Sequence, residues 1–124
     1  MRINLKGTNV ELNQNIRDYL DKRLQGLRKI LDMNDPSLMM DVELGRVTMH
    51  HKTGDVFRAE INIFMAGKTY RAEAESGDLN SAIDLMKNEI MNEISDDKRK
   101  RISFIRRSGQ RVKEIIKGLY RRKM

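Results

Sequence analysis

Two spacings alternate along this chain. From Arg2 to Lys6, apolar Ile3 and Leu5 fall on one side and Arg2, Asn4 and Lys6 on the other, the period of a half-buried strand. Asn9 to Asn13 supplies polar helix-capping candidates, and the period then changes. Ile16, Tyr19, Leu20, Leu24, Leu27, Ile30 and Leu31 recur at three- and four-residue steps, one apolar stripe on a helix that stops near Leu31, before the turn chemistry of Asn34-Asp35-Pro36-Ser37. Alternation returns with Leu38, Met40, Val42 and Leu44 on the inner side. It resumes after a hairpin turn at Lys52-Thr53-Gly54-Asp55 with Phe57, Ala59, Ile61 and Ile63, and after a tight turn at Ala66-Gly67-Lys68 with Tyr70, Ala72 and Ala74. Gly45, Gly54, Gly67 and Gly77 read as turn or strand-bend residues. Asp78 is an N-cap candidate for a second helix with the stripe Leu79, Ala82, Ile83, Met86, Ile90 and Ile94. At 100° per residue that stripe meets Asp97 and Arg101, so burial should end near Ser95. The elements predict a βαβββα order, and hence an α+β two-layer domain with two helices packed on one face of a four-stranded sheet.

Length and composition narrow the class. In 124 residues there is room for one modest core. Cysteine is absent, which excludes disulfides and thiolate metal sites. The opening MRINLKGTNVEL lacks the apolar core of a signal peptide, and no run approaches the roughly 20 apolar residues a membrane span needs. The expectation is a soluble, cytoplasmic protein.

Charge changes the picture more. The net charge is +7, yet Met1 to Asp97 holds 13 Lys and Arg against 17 Asp and Glu, whereas Lys98 to Met124 holds 12 against Glu114 alone. We therefore divide the chain into a mildly acidic body, 1–97, and a basic C-terminal tail, 98–124. Such a tail seeks a polyanion, and phosphate backbones are the commonest one. It carries the blocks Lys98-Arg99-Lys100-Arg101 and Arg106-Arg107, then Val112, Ile115, Ile116 and Leu119 at helical spacing among Arg111, Lys113 and Lys117, a short amphipathic helix.

The outward sheet face is a poor nucleic-acid platform. Its residues are mixed in sign (Asp41, Glu43, Arg58, Glu60, Arg71, Glu73), and Phe64 is its one candidate for base stacking. If RNA is bound, the helices should bind it. Arg17 and Arg28 lie three turns apart on one flank of the first stripe, Lys22 and Lys29 sit further round, and Arg23 borders the other side. Lys87 and Lys98 share one flank of the second helix. Asp18, Asp21 and Asp84 lie nearby, as they would on an ordinary solvated face.

Catalysis has little support. His50-His51 are adjacent and so point to opposite faces of a strand, which prevents them from sharing a metal easily. No phosphate-binding glycine loop, nucleophile elbow or HExxH occurs. We expect no enzyme activity, no cofactor, no metal and no small-molecule substrate.

The element order, the segment His50-His51-Lys52-Thr53-Gly54-Asp55-Val56-Phe57-Arg58-Ala59-Glu60-Ile61 and the later Ala72-Glu73-Ala74-Glu75-Ser76-Gly77-Asp78-Leu79-Asn80-Ser81-Ala82-Ile83-Asp84 resemble the ribosome hibernation promoting factor family, also called ribosome-associated inhibitor A or sigma-54 modulation protein. The resemblance runs from Met1 to about Ile94. It implies a βαβββα fold similar to double-stranded RNA-binding domains. It implies a stress-response factor that sits at the decoding region of the small ribosomal subunit, contacts 16S rRNA and neighbouring ribosomal proteins, and blocks the mRNA and tRNA sites without chemistry. By position, Lys22, Arg23, Arg28 and Lys29 match the family's basic first helix, and Lys87 and Lys98 match its second. Glu89, Asn92 and Glu93 stand where members often carry Lys or Arg, so the charge is displaced into the tail. Without the linker and C-terminal dimerisation domain of the long form, short-form behaviour is expected. Arg17, Lys22, Arg23, Arg28, Lys29, Lys87, Lys98, Arg99, Lys100, Arg101, Arg106, Arg107 and Arg111 are the expected rRNA contacts. Two other classes remain open: a generic double-stranded RNA binder, and a protein-interaction regulator of transcription.

Overall fold

The computed structural model describes residues 2–47 and 54–107. Its elements are β1 (Arg2–Thr8), α1 (Gln14–Leu24), a 3-10 turn η1 (Gln25–Lys29), β2 (Met39–Val47), β3 (Val56–Met65), β4 (Lys68–Ser76) and α2 (Leu79–Arg107). The chain divides into two compact units, Met1–Ile94 and Ser95–Met124.

In the first unit the strands lie in sequence order, β1-β2-β3-β4. β1 runs parallel to β2, and the other two pairs are antiparallel. A parallel neighbour needs a crossover, which α1 and η1 supply. The alternation read from the sequence becomes the inner face: Met40, Val42 and Leu44 of β2, Ala59, Ile61 and Ile63 of β3, and Tyr70 and Ala72 of β4 are all buried. Over them lie Leu20, Leu24 and Leu27 of the first helical segment and Leu79, Ala82, Ile83, Met86, Ile90 and Ile94 of α2. The two-layer α+β arrangement, with both helices on one face, is thus the arrangement of the core.

Local chemistry fixes the ends of these elements. Asn13 accepts a hydrogen bond from the Ile16 amide at 3.0 Å and starts α1. Asp78 accepts from the Ser81 amide at 2.8 Å and from its hydroxyl at 2.7 Å, starting α2 as expected. Where one long first helix was expected, α1 tightens into 3-10 geometry at Gln25. The stripe nonetheless continues through Leu27 to Leu31. The β3–β4 connection has Ala66 at φ 51° and Gly67 at φ 75°, two consecutive left-handed residues, which is the geometry of a two-residue hairpin turn.

Among the described residues burial on α2 ends with Ile94, matching the projection of its stripe. The helix itself continues, so Lys98 to Arg107, read as the start of a tail, is helical. The 97/98 division falls inside this helix. Thr53, the His50-His51 pair, Arg111 and the expected short helix over 112–119 lie outside the described residues.

Candidate nucleic-acid interface

The two faces of the first unit treat their charges differently. On the outward sheet face, register places Glu43, Glu60 and Glu73 side by side across β2, β3 and β4. Like charges in such a row repel unless cations intervene. Arg58 pairs with Glu60 at 3.1 Å and also with Glu73, and Arg71 pairs with Glu60 at 3.0 Å and Glu73 at 3.6 Å. Glu73 is held below the usual carboxylate range by the hydrogen bond and charge of Arg58. Asn4 donates to Asp41 at 2.8 Å and Thr8 to Glu43 at 3.0 Å. The arginines of this face are therefore spent on its own carboxylates, and a phosphate would have to displace them.

On the helical layer the balance is reversed. Lys22, Arg28, Lys29 and Lys87 enter no ion pair among the described residues, and all but half-buried Lys87 are exposed. Arg17 donates through Nε to the Leu12 carbonyl at 3.2 Å, a bond that leaves its charge uncompensated. Arg28 lines a cleft of about 200 Å³ with Ile3, Asp21 and Gln25, over a floor of Leu24, Leu31 and Met40. Arg17 and Arg28 therefore belong to the flank of the first helical segment nearer β1.

Tyr19, Arg23 and Gly26 mark the opposite flank, facing α2. Arg23 Nε lies 2.8 Å from Asp84 Oδ1. The Tyr19 hydroxyl donates to Asp84 at 2.7 Å and accepts from Arg23 Nη2 at 3.1 Å. The guanidinium also stands 5.1 Å over the Tyr19 ring centroid, close enough for a cation–π contact. The Tyr19 hydrogen bond and the Asp84 charge raise the Arg23 pKa above its ordinary value. Lys87 crosses in the other direction: a Cβ built on Gly26 would meet its Cε at 3.0 Å and its Nζ at 3.2 Å.

Of the sequence-read site, the fold brings Lys22, Arg23, Lys29 and Lys87 to neighbouring elements, sets Arg17 and Arg28 on the far flank, and engages Arg23 with a carboxylate. Along the later part of α2, Arg99 pairs with Asp96 at 2.7 Å and Arg101 with Asp97 at 3.2 Å, while Lys100 and Arg106 are exposed with no ion pair among the described residues. The sequence does not single out Tyr19 and Gly26, which the fold sets against Arg23 and Lys87. Tyr19 reads as stripe, although its four-residue step to Arg23 puts the two on one flank. A glycine inside a helical pattern was the available signal for Gly26. Among the described residues no group of three His, Cys, Asp or Glu gathers to hold a metal, and no helix is long and apolar enough to cross a membrane.

Comparison with known proteins agrees with this fold. The family model described as sigma 54 modulation protein / S30EA ribosomal protein matches residues 3–102. A ribosome hibernation promotion factor of Picosynechococcus sp. is 23% identical over 116 residues, which cover 94% of this chain and 58% of that relative. The chain thus spans little more than half the length of the curated relative. The N-terminal domain of Thermus thermophilus Protein Y superposes with a TM-score of 0.63 at 32% identity, over 76% of this chain and 96% of that one. A ribosomal subunit interface protein from Coxiella burnetii has the same fold, with a TM-score of 0.63 at 19% identity, over 80% and 99% of the two chains.

Proposed function

Because the chain belongs to the sigma 54 modulation protein / S30EA ribosomal protein family, we propose that it is a ribosome hibernation factor that binds the small ribosomal subunit near the decoding centre. In this reading it works in the cytoplasm, contacts 16S rRNA and adjoining ribosomal proteins, and blocks the mRNA and tRNA sites by occupying them. Its relatives, by name a hibernation promotion factor and a subunit interface protein, support the ribosome as partner.

The observation that carries the proposal is the contrast between the two faces. A surface that binds a phosphate backbone gains free energy by releasing condensed counterions, and it needs cations not already neutralised. Lys22, Arg28, Lys29 and Lys87 meet that requirement, whereas Arg58 and Arg71 do not. In this reading inhibition follows from occlusion.

The test is co-sedimentation with small subunits across a salt series. Replacing Lys22, Arg28, Lys29 and Lys87 together by Gln should flatten the slope of log K against log salt by about 3, since each lost phosphate contact removes roughly 0.7–0.9. Replacing Arg2 and Lys6, exposed on β1, by Gln should alter it far less. Failure of the unsubstituted protein to pellet with small subunits even at low salt would sink the reading and bring a transcriptional partner to the front.

A further inference from the structure

Two reciprocal contacts join the first helical segment to α2. From α1, Arg23 reaches over to Asp84, braced by the Tyr19 hydroxyl that bonds both. From α2, Lys87 lies back across Gly26. Asp84 and Lys87 are three residues apart on α2, and Arg23 and Gly26 are three apart on the other segment, so each reach starts about one turn from where the other ends. Two such contacts in opposite senses fix both the separation of the helices and their relative slide.

We infer that Arg23, Tyr19 and Asp84, together with Lys87 seated on Gly26, form a reciprocal latch that spaces the two basic helix surfaces, so that Arg23 is a positioning residue for the RNA contact and not itself a contact. The inference rests on the reading of the helical layer as the RNA-binding face. Arg23 directs Nε to Asp84 and Nη2 to Tyr19, and one of its faces is set over the Tyr19 ring. A phosphate approaching it would have to break those contacts and would meet the Asp84 carboxylate beside it. Lys87 differs. Its ammonium rests at Gly26, just past the end of α1, where a helix dipole favours a cation. It has no carboxylate partner among the described residues and keeps its charge available to RNA.

Gly26 is the most informative position. A methyl group there must push back the end of the Lys87 side chain, which is flexible and can yield. Alanine also favours a helical backbone over glycine. Gly26→Ala should therefore leave the urea midpoint unchanged or raised, yet weaken binding to small subunits. A residue with only a structural role would not separate the two readouts.

The latch also predicts a sign that simple electrostatics gets backwards. Asp84→Asn makes the protein more positive by one charge, which alone should tighten binding to RNA. Losing the latch should instead weaken it about 2- to 5-fold, the range expected for an exposed ion pair. Arg23→Gln should weaken binding similarly with no change of salt slope, because no phosphate contact is lost. Combining Arg23→Asp with Asp84→Arg should recover both affinity and urea midpoint relative to the single variants. If Asp84→Asn tightens binding and steepens the slope, Asp84 only masks an Arg23 contact and the inference is overturned. If the unsubstituted protein binds no ribosome, the functional reading fails while the urea midpoints still judge the latch: losses that simply add in the double variant would refute it.

Discussion

Asp35 is a single side chain that holds two separate turns. Its Oδ1 accepts from the Ser37 amide at 2.9 Å and the Ser37 hydroxyl at 2.7 Å, and its Oδ2 accepts from the Ala66 amide at 3.2 Å, 31 residues along the chain. Ala66 sits at φ 51°, a conformation that costs a residue with a Cβ roughly 1–2 kcal/mol. The bond from Asp35 gives its amide a fixed partner. The Asn-Asp-Pro-Ser turn was legible in the sequence because its chemistry is local. The link to Ala66 was not, because no local pattern says which distant amide a carboxylate will find. The Ser37 hydroxyl and amide, with Ala66, hold the Asp35 carboxyl below its ordinary 3.8. A carboxyl with a depressed folded pKa stabilises the fold fully above its unfolded value and ceases to do so as pH falls through the folded one. Asp35→Asn should therefore be less stable than the parent at neutral pH, with the gap closing as pH falls below the ordinary 3.8 and vanishing once the folded carboxyl is itself protonated. Urea midpoints across that range decide it; a gap independent of pH would mean the charge of Asp35 contributes nothing.

At the level of elements, the two periods were enough to place every strand and both helices. Leu38 to Leu44, Phe57 to Ile63 and the α2 stripe each bury one face completely enough to print it on the sequence. β1 was harder to read because it is an edge: Ile3 is 38% exposed and Leu5 only half-buried, so its alternation reports a weak contrast. The length of α2 was least legible. Among the described residues its buried stripe ends at Ile94, and the helix beyond carries i,i+3 and i,i+4 pairs such as Asp96–Arg99 and Asp97–Arg101. The two stretches should respond oppositely to damage. Ile90→Ala empties a fully buried site and should cost about 2–5 kcal/mol in urea unfolding. Lys100→Pro removes helical backbone bonding where no described residue is buried. It should lower far-UV helix content while changing unfolding free energy by no more than about 0.5 kcal/mol. A Lys100→Pro variant as destabilised as Ile90→Ala would show that the stretch beyond Ile94 contributes to the core.

Over the whole molecule, charge is sorted twice: between faces of the first unit, and between stretches of the chain. Residues 1–97 carry four more acids than bases, whereas 98–124 carry eleven more bases than acids. Taken as a whole, the body is repelled by a polyanion at long range, and its unpaired helical cations act only once it is close. The basic stretch has the opposite property. By its charge it attracts a polyanion from a distance comparable to the screening length, about 8–10 Å at physiological salt, and we propose that it adds phosphate contacts of its own. The two should separate in a salt series. Ending the chain after Asp97 keeps every side chain that is buried among the described residues, and should move half-maximal pelleting with small subunits to lower salt and reduce the slope. Residual binding at low salt would then measure what Lys22, Arg28, Lys29 and Lys87 supply alone. An unchanged slope would mean that the basic stretch makes no phosphate contact, and that the helical layer accounts for the whole electrostatic term.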